Sequence, residues 1–421
     1  MKKCENTMPY RACSISVIYV GSWGNREQRG HGNGISAFVF HEETGGFTYI
    51  DTLEGVEEPG TLTVSPDNKY LYCANEMTKF PKGEYAAGGG ISAMHIEQET
   101  GRLQLINQTS SLGSLPAYVC MDTSGKYVCC SNHASFAVIS TYSRNNNGEF
   151  TCQKKYDSSG IALFKVGGQG EIQPGSDLII FQEPGSYHIY KENMEMADHH
   201  FPGNWIESPQ IFQSSSHAHS INFDKNGVGI VCDRGTDMLH MVRIDEKKNC
   251  FIEGFTCHTR LGSAPRHLVF HPKLPCFYVV NELESTVSVY EFNEDRSRFG
   301  EVQVISTLVE GNITRNAPSD IRIHPSGKFV YASNHGDNSI AVYQVHNKTG
   351  RLLRVQVLEM EGIYPRGIGV SPKGNYLVVG NMDSDSITSY KIDEVEGTLL
   401  WSGHTAKVDT PTSIQFAQLK Q

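Results

Sequence analysis

Short stretches of alternating apolar and polar residues run along the whole chain and are separated by turns rich in Gly, Asn and Asp. Successive side chains of a β-strand point to opposite faces, so this alternation predicts strands that bury one face. The chain has no apolar run of about 18 residues, which is the length that a membrane-spanning helix needs. We therefore expect an all-β protein with no membrane segment.

One pattern recurs without gaps: a strand, a tight turn and a second strand that ends in Asn or Asp plus one variable residue. The copies occupy 65–76, 122–133, 223–234, 271–282, 324–335 and 371–382. The Asn position falls at Asn75, Asn132, Asp233, Asn281, Asn334 and Asn381, at spacings of 57, 101, 48, 53 and 47 residues. Such regular spacing indicates an internal structural repeat.

Another strand, usually starting with Pro, precedes each copy. These strands occupy 59–64, 116–121, 217–223, 265–270, 318–323 and 365–370, and a seventh lies at 411–416 with no partner after it. The N-terminal stretch 14–23 has the opposite character, because it has following partners but no preceding strand. Joining the two ends of the chain completes a seventh unit.

A third strand and a hairpin follow most of the Asn positions, for example at 338–352 and 385–399. Four antiparallel strands with a period of about 50 residues are typical of a β-propeller blade. We therefore predict an all-β, seven-bladed β-propeller that forms a single domain over 1–421 and closes with the N- and C-terminal strands in one blade. A pair of β-sandwiches, the alternative, explains neither the gap-free copies nor an orphan strand at each end.

Three segments exceed the repeat and are predicted insertions, at about 76–89, 133–159 and 186–215. The stretch 160–172 has the pattern of the third strand and hairpin of the interrupted blade. Long loops more often cover a site or form an interface than serve as filler.

Composition narrows the choice of partners. A net charge of −10 argues against a nucleic-acid-binding surface. The eleven cysteines form no Cys-x-x-Cys pair, so they carry no zinc or redox signature. We expect reduced thiols in a cytoplasmic protein that is a monomer or a homodimer.

Chemistry-bearing residues gather at one predicted end of the blades. The start of a blade's first strand and the end of its second lie side by side, so seven blades place these positions around one mouth of the channel. The side chains there are Glu76, His133, Arg234, Glu282, His335 and Met382 after the Asn positions, and Tyr118, His217, His219, Arg266, His267, Asp320 and Arg366 at the strand starts. A propeller does not need these residue types, so their concentration in an acidic protein indicates a functional site.

The residue types indicate acid–base chemistry on an anionic substrate. An Arg guanidinium matches a carboxylate or phosphate, and His and Glu in a closed mouth exchange protons. No Ser or Cys lies in a recognisable nucleophile motif, which argues against an acyl-enzyme.

Individual residues have competing interpretations. His217 and His219 are predicted to share a strand face and to be catalytic; alternatively, His217 replaces the Pro at a turn and His219 is satisfied by neighbouring backbone. Strand alternation lets only one of Arg266 and His267 face the channel, and we expect Arg266. Glu282 is expected to orient Arg266 or Arg234 for catalysis, and a purely structural ion pair is the alternative.

The remaining rim residues are expected to bind the substrate. They are Arg234, His133, His335, Arg366, Glu76 and Tyr118. The His-x-His segment and Glu282 offer side chains that can ligate a divalent metal. The nearby Arg side chains argue against a metal site, so we expect no metal.

Several stretches also resemble a known family. SSHAHSINFD (215–224), DRGTD (233–237), GSAPRHLVFHP (262–272) and VVNELESTVSVY (279–290) are similar to the lactonase-type seven-bladed propellers, which include 6-phosphogluconolactonases and fungal carboxy-cis,cis-muconate cyclases. The resemblance covers about 17–416 and implies binding and acid–base roles for the His-Ala-His segment, Arg266 and Glu282, with no metal or organic cofactor. The chain departs from many relatives at His133, where they have Tyr, and at Arg234, where they have an aliphatic residue or Lys.

Three functions follow as hypotheses. The first is hydrolysis of a small anionic sugar-acid lactone, with His219 or His217 as base and Arg266 as the anion-binding group. The second is a muconate-type cycloisomerase that forms a lactone, with Arg366 holding a second carboxylate. The third is a binding propeller without catalysis, which the rim of titratable groups argues against.

Overall fold

The computed structural model describes residues 14–24, 30–78, 80, 88–133, 140–144, 150–155, 159–186, 213–312 and 315–420. Within these ranges the chain forms thirty β-strands and one 3₁₀ turn, at Met382–Ser384. No helix in the described ranges is long and apolar enough to cross a membrane.

Seven antiparallel four-stranded sheets are arranged as blades. The first blade contains β1 (Ser14–Ser22), β2 (Gly34–His41) and β3 (Gly46–Leu53), and the second contains β4 (Pro59–Val64), β5 (Tyr70–Asn75), β6 (Gly90–Ile96) and β7 (Leu103–Ser110). The third contains β8 (Pro116–Met121), β9 (Tyr127–Asn132), β12 (Ser159–Val166) and β13 (Ile172–Phe181). The hairpin of β10 (Ser140–Arg144) and β11 (Phe150–Lys155) lies between β9 and β12 in the sequence.

The next four blades follow the same order from the channel outward. The fourth blade contains β14 (Ala218–Phe223), β15 (Gly229–Asp233), β16 (Met238–Asp245) and β17 (Cys250–His258), and the fifth contains β18 (Pro265–Phe270), β19 (Cys276–Asn281), β20 (Thr286–Phe292) and β21 (Phe299–Ser306). The sixth contains β22 (Ala317–Ile323), β23 (Phe329–His335), β24 (Ser339–Val345) and β25 (Leu352–Glu359). The seventh contains β26 (Pro365–Val370), β27 (Tyr376–Asn381), β28 (Ser386–Ile392) and β29 (Leu399–Lys407). The last strand is β30 (Pro411–Lys420).

The two ends of the chain close the ring within one blade. β30 pairs antiparallel with β1 from Ser14↔Lys420 to Ser22↔Pro411, so the first blade has the strand order β3-β2-β1-β30. The prediction of a seven-bladed all-β propeller, closed by strands from both termini, is confirmed.

The described part of the predicted insertion at 133–159 contains one extra hairpin. β10 and β11 pair with each other between β9 and β12, so they form a separate two-stranded hairpin. β12 pairs with β9 and β13 as the third strand of its blade. Residues 79, 81–87, 134–139, 145–149, 156–158 and 187–212, which make up much of the three insertions, lie outside the described residues.

The hydrophobic core consists of seven clusters, one at each interface between neighbouring blades. Between the second and third blades, for example, Tyr72 packs with Val119 and Phe164, and all three are buried. Burying one large apolar side chain contributes about 1.5–3 kcal/mol. Each blade is therefore stabilised mainly by its two neighbours, and a closed ring leaves no blade face uncovered.

A repeated hydrogen bond joins neighbouring blades near their outer hairpins. A buried Tyr on the second strand of one blade donates its hydroxyl to a Gly carbonyl in the outer hairpin of the next. The pairs are Tyr19 with Gly101, Tyr72 with Gly170, Tyr278 with Gly350 and Tyr331 with Gly397, at 2.9–3.2 Å. These glycines have φ between 69° and 81°, a conformation that other residues rarely adopt, which explains the Gly of the predicted hairpin turns.

Closure of the ring predicts that β30 contributes strongly to stability. Leu419 on β30 is 2% exposed and packs in the cluster between the first and second blades, whereas Leu400 on β29 is 72% exposed. Leu419→Ala should lower the free energy of unfolding by about 2–5 kcal/mol. The same substitution at Leu400 should change it by less than about 0.5 kcal/mol. Urea unfolding followed by fluorescence measures both; equal midpoints for the two variants would contradict the closure argument.

Candidate active site at the channel mouth

The repeated Asn residues are structural anchors at the mouth. Asn75 donates its side-chain amide to the Glu57 carbonyl at 2.6 Å, and Asn132 donates to the Ser111 carbonyl at 2.9 Å. Asp233 holds the same position and accepts the backbone N–H of His217 at 2.7 Å. These side chains are buried and tie the end of each second strand to the segment that leads into the first strand of the same blade, so the next residue along the chain is placed at the mouth.

A β-bulge lies near the start of every innermost strand. The residues skipped by the pairing are Gly60, Ala117, His219, Arg266, Ser319 with Asp320, Arg366 and Thr412. A bulge sets two residues against one on the partner strand and redirects a side chain. The expectation that only one of Arg266 and His267 faces the channel is therefore wrong, because both line the same cavity.

The bulges also correct the register of the fourth blade. β14 begins at Ala218, which takes the place of the Pro, so His219 corresponds to Arg266. The Arg234 N–H donates to the His217 carbonyl just as the Glu282 N–H donates to the Ala264 carbonyl. His217 thus stands one residue before the strand, so the prediction that it shares a strand face with His219 is wrong, and the alternative, that His217 replaces the Pro, is off by one position.

The backbone at the mouth is strained at the residues that precede the Pro. Glu58, Leu115, Ala264, Tyr364 and Thr410 have φ between 43° and 63°, in the left-handed region that residues other than Gly rarely enter. Such strain persists only where the surrounding structure imposes it, and it is common at functional sites. The mouth is therefore a rigidly held part of the fold.

A cavity of about 220 Å³ lies in the channel, and all seven innermost strands contribute to its wall. Of the side chains expected at the site, those of Tyr118, His219, Arg266 and Arg366 line this cavity. His267 and Asp320 line it as well. The structure thus brings together groups that lie up to 248 positions apart in the sequence, from Tyr118 to Arg366.

One carboxylate lies between two guanidinium groups beside the cavity. Glu282 Oε2 accepts a hydrogen bond from Arg234 Nη1 at 2.6 Å, and Glu282 Oε1 lies 3.4 Å from Arg266 Nε. The three side chains are only 4–8% exposed. Burial by itself raises the pKa of Glu282, but the two guanidinium groups outweigh it and lower the pKa to about 2. The carboxylate is therefore ionised and holds both cations in place.

Two histidines extend this network on the Arg234 side. Arg234 Nη2 lies 2.9 Å from His133 Nε2, and a guanidinium only donates, so His133 Nε2 accepts and is unprotonated. The proton of neutral His133 then lies on Nδ1, which is 3.2 Å from His217 Nδ1. His217 Nδ1 accepts that bond, and His217 is not on the cavity wall. Both histidines are thus placed to orient Arg234.

Arg366 is held by a tryptophan that was absent from the predicted site. The guanidinium carbon of Arg366 lies 3.7 Å from the centre of the Trp23 ring, and its Nη2 lies 3.5 Å from Glu76 Oε2. Burial raises the pKa of Glu76, although Arg366 acts in the opposite direction. Trp23 directly follows β1, just as Glu76 follows β5 and Glu282 follows β19. The sequence repeat therefore already indicated that the side chain at position 23 lies at the mouth.

Three buried histidines of the mouth, His219, His267 and His335, are neutral near pH 7. Burial and the nearby Arg266 lower the pKa of His267 to about 4 and that of His335 to about 3. The same two causes, together with Arg234, lower the pKa of His219 well below its usual value. His335 stacks on Tyr364 with ring centres 4.2 Å apart. Imidazoles in this state accept protons and add no charge to the cluster.

A metal site is not formed by these groups in the part of the chain that the structure describes. There, the one set of three ligating side chains whose donor atoms lie within 4.8 Å of one another comprises His31, Asp385 and Asp409. His31 is hydrogen-bonded to Asp385, and Lys407 pairs with Asp409 at 3.2 Å. The mouth instead presents guanidinium groups, which suit an anion.

Comparison with known proteins agrees with the fold. Residues 17–416 match the family described as Lactonase, 7-bladed beta-propeller. A 6-phosphogluconolactonase of Formosa agariphila is 27% identical over 360 residues, covering 84% of this chain and 86% of the relative. A 6-phosphogluconolactonase of Bacillus subtilis is 25% identical over 403 residues, covering 95% of this chain and 98% of the relative.

A solved structure shows the same fold. The periplasmic gluconolactonase of Pseudomonas aeruginosa superposes with a TM-score of 0.77 at 22% identity, covering 96% of this chain and 100% of that chain. The repeat, the closed ring and the family match extend over the same residues. The chain therefore belongs to the lactonase family of seven-bladed β-propellers.

Proposed function

We propose that this protein hydrolyses a small, negatively charged sugar-acid lactone at the channel mouth. The observation that carries the proposal is the buried Arg234–Glu282–Arg266 group beside a cavity lined by neutral histidines. The names of the relatives from Formosa agariphila and Bacillus subtilis support the same class of substrate.

Local charge favours an anionic substrate although the whole chain is acidic. The charged side chains on the cavity wall are three guanidinium groups and one carboxylate, those of Arg266, Arg322, Arg366 and Asp320. Beside the wall, Arg234 pairs with Glu282, and Glu76 lies close to Arg366. A carboxylate or phosphate entering the cavity would meet an excess of positive charge.

The reaction needs a proton acceptor and a group that stabilises an oxyanion. Water attacks the lactone carbonyl carbon, and a neutral imidazole takes the proton that the water loses. The negative charge that develops on the carbonyl oxygen is stabilised by Arg266. The bond from carbon to the ring oxygen then breaks, and that oxygen takes the proton to give a hydroxy acid.

Two of the neutral imidazoles, those of His219 and His267, line the cavity and are candidates for the proton acceptor. His217 is less suited to this role, because its side chain does not line the cavity. Glu282 acts indirectly, since it fixes the positions of Arg234 and Arg266 before substrate binds. Positioned charges of this kind need no reorganisation during the reaction.

Removing the cation or its counter-ion should abolish most activity. Arg266→Ala removes the oxyanion-stabilising group, and Glu282→Gln releases both guanidinium groups. We expect kcat/KM to fall by about 10²–10³-fold in each variant. Proton release from 6-phosphogluconolactone and gluconolactone, followed with a pH indicator, measures this.

Exposed residues provide matched controls for these variants. Arg102 and Glu246 have side chains that are 59% and 52% exposed, so Arg102→Ala and Glu246→Gln should keep wild-type rates. Circular dichroism establishes that all four variants are folded. Rates within twofold of wild type in folded Arg266→Ala and Glu282→Gln would refute the proposal.

The lowered histidine pKa values predict the pH dependence of the free enzyme. Because His219 and His267 stay neutral far below pH 6.5, they remain proton acceptors as the pH falls. After subtraction of spontaneous hydrolysis, kcat/KM should therefore be constant between about pH 7.5 and 5.5. A fall with a midpoint near pH 6.5, the ordinary histidine value, would contradict this.

Lactone formation from a diacid is the second candidate reaction. The observation that favours it is that Arg266 and Arg366 line the same cavity, so two guanidinium groups are available for two carboxylates. A cis,cis-muconate-type diacid has a conjugated diene that absorbs ultraviolet light. Our proposal of hydrolysis predicts no loss of that absorbance, whereas an enzyme-dependent loss would favour the cycloisomerase.

A further inference from the structure

We propose that His267 is the catalytic proton acceptor of the hydrolysis and that Asp320 is a positioning residue that holds His267 in one tautomer. This inference rests on the proposed function and specifies which of the two cavity histidines acts. It follows from the hydrogen bonds on the two sides of the His267 ring.

The tautomer of His267 is determined from both sides. His267 Nδ1 lies 3.0 Å from Asp320 Oδ1, and an ionised carboxylate only accepts, so Nδ1 carries the proton. On the opposite side, Arg266 Nη1 lies 3.4 Å from His267 Nε2. A guanidinium only donates, so Nε2 carries a lone pair. In the free protein this lone pair accepts the long hydrogen bond from Arg266, and it becomes available to water when Arg266 donates to the carbonyl oxygen of the lactone instead.

Asp320 is itself fixed by several groups. Its Oδ1 accepts the backbone N–H of Ile321 at 2.9 Å and lies 3.0 Å from Arg322 Nη1. Its Oδ2 accepts the backbone N–H of Ile368 on the neighbouring blade at 3.1 Å. The side chain is 4% exposed. A carboxylate held in this way can orient an imidazole and stabilise it when it becomes protonated.

Packing restricts the imidazole further. The Tyr118 ring lies edge-on to the His267 ring with centres 4.9 Å apart, and the Tyr118 hydroxyl accepts from Asn222 at 3.1 Å. The His267 side chain is 7% exposed. Side chains from the third, fourth, fifth and sixth blades therefore converge on one imidazole, as expected of a supported catalytic group.

His219 lacks comparable support. No described residue forms a hydrogen bond with His219 Nδ1, and the nearest histidine ring, that of His267, has its centre 5.1 Å away. Its position on the cavity wall suits contact with the substrate. The orientation of its lone pair, in contrast to that of His267, is not determined by a charged partner.

The proposed step balances in protons and electrons. Water attacks the carbonyl carbon while His267 Nε2 takes its proton, and the resulting imidazolium is paired with Asp320. The tetrahedral intermediate then collapses, the bond from carbon to the ring oxygen breaks, and Nε2 returns the proton to that oxygen. The hydroxy acid that forms loses its carboxyl proton to solvent, and the imidazole is again neutral.

The test compares four variants on a lactone that the wild-type protein hydrolyses. His267→Gln should lower kcat by at least about 100-fold and Asp320→Asn by at least about 10-fold, with KM within threefold of wild type. His219→Gln should change KM more than kcat. His404→Gln, at an exposed outer position, is the matched control and should keep the wild-type rate.

Nitrogen-15 NMR of the histidines measures the tautomer of His267. This tautomer should not change in Asp320→Asn if Asp320 only stabilises the fold. Wild-type His267 should show a protonated Nδ1 and an unprotonated Nε2, and folded Asp320→Asn should show a mixture of tautomers together with its loss of kcat. Wild-type kcat in Asp320→Asn despite mixed tautomers would overturn the inference even if His267→Gln fails to fold. A folded His267→Gln with kcat within threefold of wild type overturns this inference alone, whereas a wild-type protein inert towards every lactone overturns it together with the proposed function.

Discussion

The pairing of one buried carboxylate with two guanidinium groups is the interaction on which the mouth depends. Isolated buried charges are costly, and removing one partner of a buried ion pair typically destabilises a protein by about 3–5 kcal/mol. Glu282 and Arg266 belong to the fifth blade and Arg234 to the fourth, so the pairing also joins two blades. Through His133 on one side and His267 with Asp320 on the other, it extends over four consecutive blades.

The propeller makes this arrangement possible because its seven innermost strands start at the same end of one channel. Buried Asn side chains tie the ends of the second strands to the segments that lead into the first strands, and a bulge near the start of each first strand turns additional side chains inward. A regular strand would direct Arg266 and His267 to opposite faces. The bulge places both at the cavity, so the two groups to which we assign anion binding and proton transfer lie side by side.

The sequence was sufficient to predict the fold and the composition of the mouth, because both follow from repeats that alternate visibly in polarity. The errors occur where tertiary structure overrides alternation. Arg266 and His267 share a wall because of a bulge, and His217 stands one position earlier than its spacing suggested. The stacking of Trp23 on Arg366 joins the first and seventh blades, and the hydrogen bond of Asp320 to His267 joins the sixth and fifth. Such long-range pairs leave no local pattern, although Trp23 lay in a repeat position that pointed to the mouth.

A crystal structure with the hydroxy-acid product, 6-phosphogluconate or gluconate, would test the central claim most directly. Our account predicts that the product lies in the channel cavity, with a carboxylate oxygen accepting a hydrogen bond from Arg266 and the hydroxyl released from the lactone ring donating to His267 Nε2. It also predicts that Glu282 still contacts Arg234 and Arg266. A product bound elsewhere on the protein, with Arg266 making no contact to it, would contradict the account.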